Sequence, residues 1–331
     1  MKERSVGILG IGSYVPEKII TNFDLEKTID TTDKWIVERT GIRERHVVAE
    51  GEATSDLATR AAERALLDAG ISAEEIDLII VGTVTPDMQF PSVACLVQNN
   101  IKAVNAAAFD LTAVCSGFVY GLATGSSFIK AGTYKKVLVI GAESLSKITD
   151  WSDRNTAILF GDGAGAAILG ETDAGYGILG IDMGADGNGG DLLRVPAGGS
   201  RLPTTEETIS QRLHYTQMDG NEVFKFAVKV MGETVNKALE NAKLTAKDVT
   251  YLVPHQANMR IIQSAAKRLG LPMDRVVVNV DKYGNTSAAS IPIALDEGIK
   301  SGRIKNGDVI ALVGFGGGLT WGATIIKWSK P

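Results

Sequence analysis

A chain of 331 residues has the length of one large or two medium domains, and a net charge of −5 with a pI near 5.4 lacks the basic surplus that nucleic-acid phosphates demand. Hydrophobic residues at 44% and charged residues at 22% fit a soluble globular protein, and no apolar, uncharged run of about 18 residues predicts a membrane span. Two cysteines make no disulfide framework and predict a reducing, cytoplasmic setting, while 37 glycines with no collagen-like period predict tight turns and close backbone contacts.

From the N-terminus, Met1–Pro16 has the basic start and apolar run of a signal peptide. Its run VGILGIGSYV is broken by glycine, meets a Pro-Glu-Lys turn and lacks a small-residue cleavage site, so it reads as a first strand. Short apolar runs follow at Ile76–Val81, Val137–Ile140, Ala164–Leu169, Val249–Val253 and Val309–Val313, each of strand length. Between them Ser55–Ala69, Val223–Ala242 and Ala257–Leu269 carry apolar residues near a 3.6-residue period and read as helices. Strands alternating with helices predict an α/β layered protein.

The pattern also repeats. ALLDAGISAEEIDLIIVG (Ala65–Gly82) aligns without gaps on ALENAKLTAKDVTYLVPH (Ala238–His255), and IKAGTYKKVLVIG (Ile129–Gly141) aligns on IKSGRIKNGDVIALVG (Ile299–Gly314) with a short insertion. Two echoes in the same order at nearly one spacing predict a duplicated chain. The halves are expected over residues 1–174 and 175–331, packed as one unit because no flexible linker marks the join.

Chemistry concentrates at Cys115, which stands just before a predicted helix from about Ser116 to Lys130. Gly117, Gly121 and Gly125 strip one face of that helix. A thiol at a helix N-terminus is predicted to lose its proton more easily and to find amides for an oxyanion. The plainer reading is a buried structural cysteine, which is also the expectation for Cys95 in PSVACLVQN. His255 in VPHQANMRII opens a helix from a strand end, where α/β proteins place chemistry, although a lone His is more often a satisfied core or surface group. Asn285 in KYGNTSAAS is by default a cap or turn residue. The repeat relates Cys115 to Ala288 and His255 to Gly82, which predicts that all three residues meet at equivalent strand ends.

At these residues the chain resembles the β-ketoacyl-acyl-carrier-protein synthase III family, the acyltransferases that begin type II fatty-acid synthesis. The likeness runs essentially end to end, through TDKWIVERTGIRERH, AVCSGF, FGDGAGA, MDGNEVFKFAV, PHQANMRI, YGNTSAAS and GFGGGLTWG. It implies the thiolase fold, two βαβαβαββ halves in a five-layered αβαβα core, and a homodimer. It also implies that Cys115 takes a short-chain acyl group, acetyl first among the candidates, from acyl-CoA. His255 and Asn285 would then hold the thioester carbonyl of malonyl-carrier protein while CO2 leaves, and the resulting carbanion would attack the acyl-cysteine. The amides of Cys115 and Gly317 would form a second oxyanion hole, with Phe315 lining the malonyl pocket. By the same resemblance Trp35 and Arg154 hold the adenine of coenzyme A, Arg39 lies near its phosphates, and Gly220 and Asn258 line the pantetheine tunnel. Phe90 would close the acyl pocket of the other subunit. No metal and no cofactor is implied, since the CoA thioester and malonyl-carrier protein are substrates.

Between Val249 and Met273 there is no acidic residue, and Arg260, Lys267 and Arg268 fall on one helical face. This is either a solvated face or a docking site for an acidic carrier protein, formed by Gln256, Ala257, Asn258, Met259 and Arg260 with Lys225, Lys267 and Arg268.

Rivals differ in their catalytic sets. Elongating synthases need a second histidine, and His46 and His214 lie in segments that do not fit it. Thiolases need a second cysteine, absent near Gly316–Gly318. Condensing enzymes of secondary metabolism, of polyketide or quinolone type, keep Cys-His-Asn and remain the nearest alternative. A papain-like protease shares the triad but needs no duplication. A nucleotide-binding module would use FGDGAGA or GFGGG to cradle phosphate, yet neither opens a strand–GxGxxG–helix unit.

Overall fold

The computed structural model describes residues 4–330; Met1–Glu3, at the start of the first predicted strand and half, and Pro331, at the end of the second half, lie outside the described residues. Two sheets form the frame. The first contains β1 (Val6–Tyr14), β2 (Leu78–Gly82), β3 (Ala107–Leu111), β4 (Val137–Glu143) and β5 (Gly163–Glu171) in the order β1-β5-β4-β2-β3. The second contains β6 (Gly177–Ala185), β7 (Tyr251–Pro254), β8 (Val309–Gly316) and β9 (Thr320–Lys327) in the order β7-β8-β9-β6. The first has two parallel pairs (β4–β2, β2–β3) and the second one (β8–β7), each set adjoining two antiparallel pairs. The fifth strand of the second sheet is reduced to one bridge, Leu252 to Val276.

Helices complete five layers. α2 (Thr54–Ala69) and α3 (Val93–Asn100) cover the outer face of the first sheet, and α5 (Gly220–Asn241) and α6 (Met259–Arg268) that of the second. α4 (Gly117–Ala131) and α7 (Ser290–Lys300) lie between the sheets, where Phe118, Leu122, Ile291 and Leu295 share one core with strands of both. Strands buried on both faces explain the nearly continuous apolar runs: Leu78 and Ile80 face the middle layer, Ile79 and Val81 the outer helices. The fold is the α/β thiolase fold expected from the sequence.

The duplication is visible residue by residue. The 3-10 turns Ala73–Glu75 and Ala246–Asp248 stand 173 residues apart. In each, an acid reaches back to the amide that opens the turn, Glu75 to Ser72 at 3.1 Å and Asp248 to Thr245 at 2.8 Å. The residues ending α2 and α5 match as well, Gly70 at φ 66° and Lys243 at φ 57°.

An excursion after β1 carries α1 (Asp33–Thr40), and with it Trp35 and Arg39, between the paired segments Lys18–Thr21 and Glu44–Val47. Arg45, wholly buried, pins it by donating to the carbonyls of Ile20 and Ile158 and to Asn22 Oδ1. Cys95 corrects the expectation of a buried cysteine. α3 turns it outward, and it is exposed. The glycines of FGDGAGA cradle no phosphate either: Gly163 and Gly165 face Ile293 and Pro292 of α7.

Candidate active site

Cys115 sits in a 3-10 turn, Val114–Ser116, between β3 and α4. Val114 holds φ at +48°, a left-handed value that is unfavourable for a β-branched side chain and stores strain on the order of 1–3 kcal/mol. The bare face of α4 lets the turn approach the sheets, with Gly117 against Gly82 and Ala288, and Gly121 against Val139. Burial pushes the Cys115 thiol up to about 12, and the Glu143 carboxylate adds to the rise against a bond from Ser287. The helix N-terminus predicts a lowered value; the structure instead buries the side chain to 4% exposure, and that desolvation raises it.

His255 follows β7, its N–H bonded to Val313 O at 2.7 Å. Its ring is buried, Nδ1 lies 2.7 Å from Ser290 Oγ, and burial pushes its pKa down to about 3, so the imidazole is neutral. Phe315 of β8 meets the ring edge-on at 5.4 Å. Asn285 is fastened by its backbone, N–H to Leu159 O at 2.8 Å and carbonyl from Gly161 N–H at 3.0 Å. Its Oδ1 accepts the Ser287 N–H at 2.9 Å, and among the described residues its Nδ2 donates to no protein group.

These three residues line one cavity of about 90 Å³ with Phe315, Gly316 and Asn258. A second cavity of about 200 Å³ opens on the other side of Cys115, walled by Val84, Leu145, Ile148, Phe160 and Leu193 with few polar groups. A third, about 800 Å³ and polar, shares Gly220, Phe224 and Asn258 with the first and reaches outward past Arg39 and Arg260. The thiol thus stands between an apolar chamber and a channel to solvent. Gly316 lies against the Cys115 amide, where a Cβ would stand 2.6 Å from the nitrogen. Neither the Cys115 nor the Gly317 N–H is taken by a turn or loop carbonyl among the described residues.

The outer residues also gather. The guanidinium carbons of Arg39 and Arg154 lie 4.5 Å and 4.8 Å from the Trp35 ring centroid, so two cations stand over the indole. Asn258 caps α6 through Arg260 N–H and donates from Nδ2 to Arg39 O at 2.9 Å, joining α6 to the α1 excursion. Phe90 is 82% exposed and lines none of these three cavities. His46 and His214 lie elsewhere, His46 stacked on Tyr283 and His214 bonded to Thr208.

Part of the expected carrier surface is corrected. Gln256 is wholly buried: its Nε2 donates to Pro254 O and Val277 O, and its Oε1 accepts Asn279 N–H. Ala257 faces the catalytic cavity, and Met259 packs over Gly41. Arg260, Lys267 and Arg268 are exposed and make no ion pair among the described residues; Lys225 is exposed but paired with Glu222 at 2.6 Å. Sequence reasoning missed Glu143, Ser287 and Ser290, buried polar groups behind the three reactive ones. The acid closing the apolar run VLVIGAE was the available signal for Glu143.

Family models for 3-oxoacyl-[acyl-carrier-protein] synthase III match residues 109–187 and, for its C-terminal part, residues 239–328. The chain is 60% identical to the β-ketoacyl-[acyl-carrier-protein] synthase III of Caldanaerobacter subterraneus over 98% of both chains, and 58% identical to that of Clostridioides difficile over 98% of both. The solved synthase III of Thermus thermophilus superposes with a TM-score of 0.92 at 50% identity, covering 98% of this chain and all of that one. The chain belongs to the β-ketoacyl-acyl-carrier-protein synthase III family of thiolase-fold condensing acyltransferases.

Proposed function

We propose that the chain joins a short-chain acyl group from acyl-CoA, acetyl first among the candidates, to the two-carbon unit of malonyl-carrier protein. The products are 3-oxoacyl-carrier protein, CO2 and free coenzyme A. The observation that carries this reading is the shared cavity in which a buried thiol, a neutral imidazole and an amide with an unused donor face one space.

In the first half-reaction the Cys115 sulfur attacks the acyl-CoA carbonyl. The C–S bond to coenzyme A breaks, and the thiol proton ends on the departing CoA thiol, so the transfer is proton-neutral. Because the resting group is a thiol, charge develops on sulfur and on the carbonyl oxygen only during attack. The N-terminus of α4 and the amides of Cys115 and Gly317 would meet it. The acyl chain then occupies the apolar chamber.

In the second half-reaction the malonyl thioester oxygen accepts hydrogen bonds from His255 Nε2 and Asn285 Nδ2. Ser290 Oγ lies 2.7 Å from Nδ1 and accepts the Gln256 N–H at 3.4 Å; donation of its own proton to Nδ1 would leave the imidazole proton on Nε2. The bond to the carboxylate breaks, CO2 departs, and the electron pair becomes an enolate held by the two donors. Phe315 offers the carboxylate an apolar wall, which favours its loss as neutral CO2. The enolate carbon attacks the acyl-cysteine, the C–S bond to Cys115 breaks, and Cys115 leaves as thiolate and takes one proton from solvent.

Trp35, Arg154 and Arg39 would hold the adenine and phosphates of coenzyme A, with Gly220 and Asn258 along its arm. An adenine ring between Trp35 and Arg154 would take the place of a guanidinium already stacked there. Arg260, Lys267 and Arg268, with Lys225 at the margin, would dock the acidic carrier. The halves 1–174 and 175–331 contribute the thiol and the two donors respectively. The enzyme would act in the cytoplasm as a homodimer, each Phe90 reaching the acyl chamber of the partner subunit; its exposure supports that reading. Incubation with a panel of acyl-CoAs should give an acyl mass shift on Cys115, followed by 3-oxoacyl-carrier protein on adding malonyl-carrier protein. A protein that carries no acyl group on Cys115 would refute the reading.

A further inference from the structure

We propose that Glu143 is a positioning residue for the decarboxylating half of the reaction, acting through Ser287 to hold the Asn285 amide with its nitrogen toward the substrate. The inference rests on the role proposed for Asn285.

Glu143 ends β4 in the first half, and its side chain is completely buried. Its partners are all neutral. It accepts from Thr85 Oγ1 at 2.5 Å, Thr83 Oγ1 at 3.2 Å, Val84 N–H at 3.1 Å and, across the pseudo-symmetry axis, Ser287 Oγ at 3.1 Å. A carboxylate buried without a cation is costly, and burial pushes its pKa up to about 7. A clasp between two halves needs no charge, since an apolar pair of similar volume would hold them at least as well.

In its ionised form, which the four converging donors favour, Glu143 provides a set of acceptors and no donor. Ser287 stands at φ +47°, a conformation it adopts against its own preference, and its side-chain bond to Glu143 holds it there. In that conformation its N–H points at Asn285 Oδ1, 2.9 Å away. An amide flipped by a half-turn would set NH2 against this N–H, donor facing donor, so the Ser287 conformation selects the one orientation that leaves Nδ2 free. Gln at position 143 would bring its own donor among four donors. The hydroxyls can reverse, but the Val84 N–H cannot.

The test measures the two half-reactions separately. In a Cys115→Ala protein without acyl-CoA, CO2 release from malonyl-carrier protein reports on His255 and Asn285 alone. Adding Glu143→Gln should lower its kcat by about 10- to 100-fold, the loss expected of a misaimed donor. In the Cys115 protein, Glu143→Gln should slow acyl-cysteine formation by no more than about threefold, because removing the charge beside Cys115 eases ionisation of the thiol and only the second half-reaction uses Asn285. Unchanged CO2 release, or an equal loss in both half-reactions, would overturn the proposal. If Glu143→Gln does not fold, Ser287→Ala in the Cys115→Ala protein cuts the same link, and normal CO2 release there would overturn it equally. A silent Cys115→Ala parent, or an Asn285→Ala derivative as active as that parent, overturns the Asn285 role instead.

Discussion

Two turns, one from each half, lie back to back at the centre of the molecule. Val114–Ser116 and Ser287–Ala289 are both 3-10 turns, 173 residues apart, each entering a middle-layer helix. Each opens on a non-glycine residue in the left-handed region, Val114 at φ 48° and Ser287 at φ 47°. Each packs against a strand-end glycine of the opposite half, Gly314 for the first and Gly141 for the second. Yet the middle residue is Cys115 in one and Ala288 in the other. The same strained scaffold was kept twice, and in the proposed reaction chemistry is divided between the copies: the first would carry the nucleophile, the second the groups that orient donors.

The widest break in this symmetry is at the middle position. Cys115→Ala should abolish acyl-cysteine formation and condensation, read by mass shift and product assay. Ala288→Cys placed in that protein should restore neither. Ala288 is wholly buried, its Cβ faces Gly117, and it lines none of the cavities around Cys115. Acylation at position 288 would show that the scaffold alone makes a nucleophile.

The donor side should fail differently. His255→Ala and Asn285→Ala should each lower malonyl decarboxylation by roughly 10²- to 10³-fold while acylation of Cys115 falls much less. An Asn285→Ala protein that decarboxylates normally would remove Asn285 from the mechanism.

Much of this comparison was legible before the fold. The ungapped echo Ala65–Gly82 against Ala238–His255 became matching turns and strands because turn chemistry is local, written in Ser72 and Glu75 as in Thr245 and Asp248. That Cys115, His255 and Asn285 meet in one cavity was legible from the repeat and the family resemblance together, since each residue alone has a plainer reading. Glu143 was not, since an acid ending an apolar strand reads as an edge until its neighbours are known to enclose it. Gln256 misled for the reverse reason. It lies beside a basic helix in sequence, but its amide is consumed by Pro254, Val277 and Asn279, partners that only the tertiary fold supplies.

The neutral state of His255 has a signature in stability. Its native pKa, about 3, lies below the ordinary 6.5, so the unfolded chain binds its proton first as pH falls. This stabilisation is present above pH 6.5 and is lost progressively as pH falls, about 3 kcal/mol of it by pH 4 and about 4 kcal/mol by pH 3. Denaturation of His255→Gln at pH 7 and pH 4 should show a smaller acid loss than the unchanged protein. Equal losses would mean that the imidazole titrates normally.

The reciprocal glycines are nearly but not fully equivalent. A Cβ on Gly141 would stand 2.2 Å from the Ala288 carbonyl oxygen, which cannot yield without moving the turn. On Gly314 the nearest atoms, Cys115 O and Ile291 Cδ1, are at 3.2 Å, and the isoleucine can shift. Gly141→Ala should therefore cost about 2–3 kcal/mol in chemical denaturation and Gly314→Ala about 1 kcal/mol. Equal costs would mean the two turns are held alike.

The smallest expected effect lies where the halves diverge most on their surfaces. α3 and α6 follow the pseudo-equivalent strands β2 and β7, but α3 has no charged residue, whereas α6 carries Arg260, Lys267 and Arg268. Arg260 also approaches the Phe224 ring at 5.8 Å beside the channel mouth, so it is the member nearest the route to Cys115. Exposed charges of this kind act mainly on encounter and are screened by salt. Arg260→Glu should raise KM for malonyl-carrier protein several-fold at low ionic strength, with the effect shrinking as salt is added, and leave KM for acyl-CoA nearly unchanged. Equal increases for both substrates would mean that Arg260 acts only as a wall of the channel they share, and would leave the basic face of α6 without a partner.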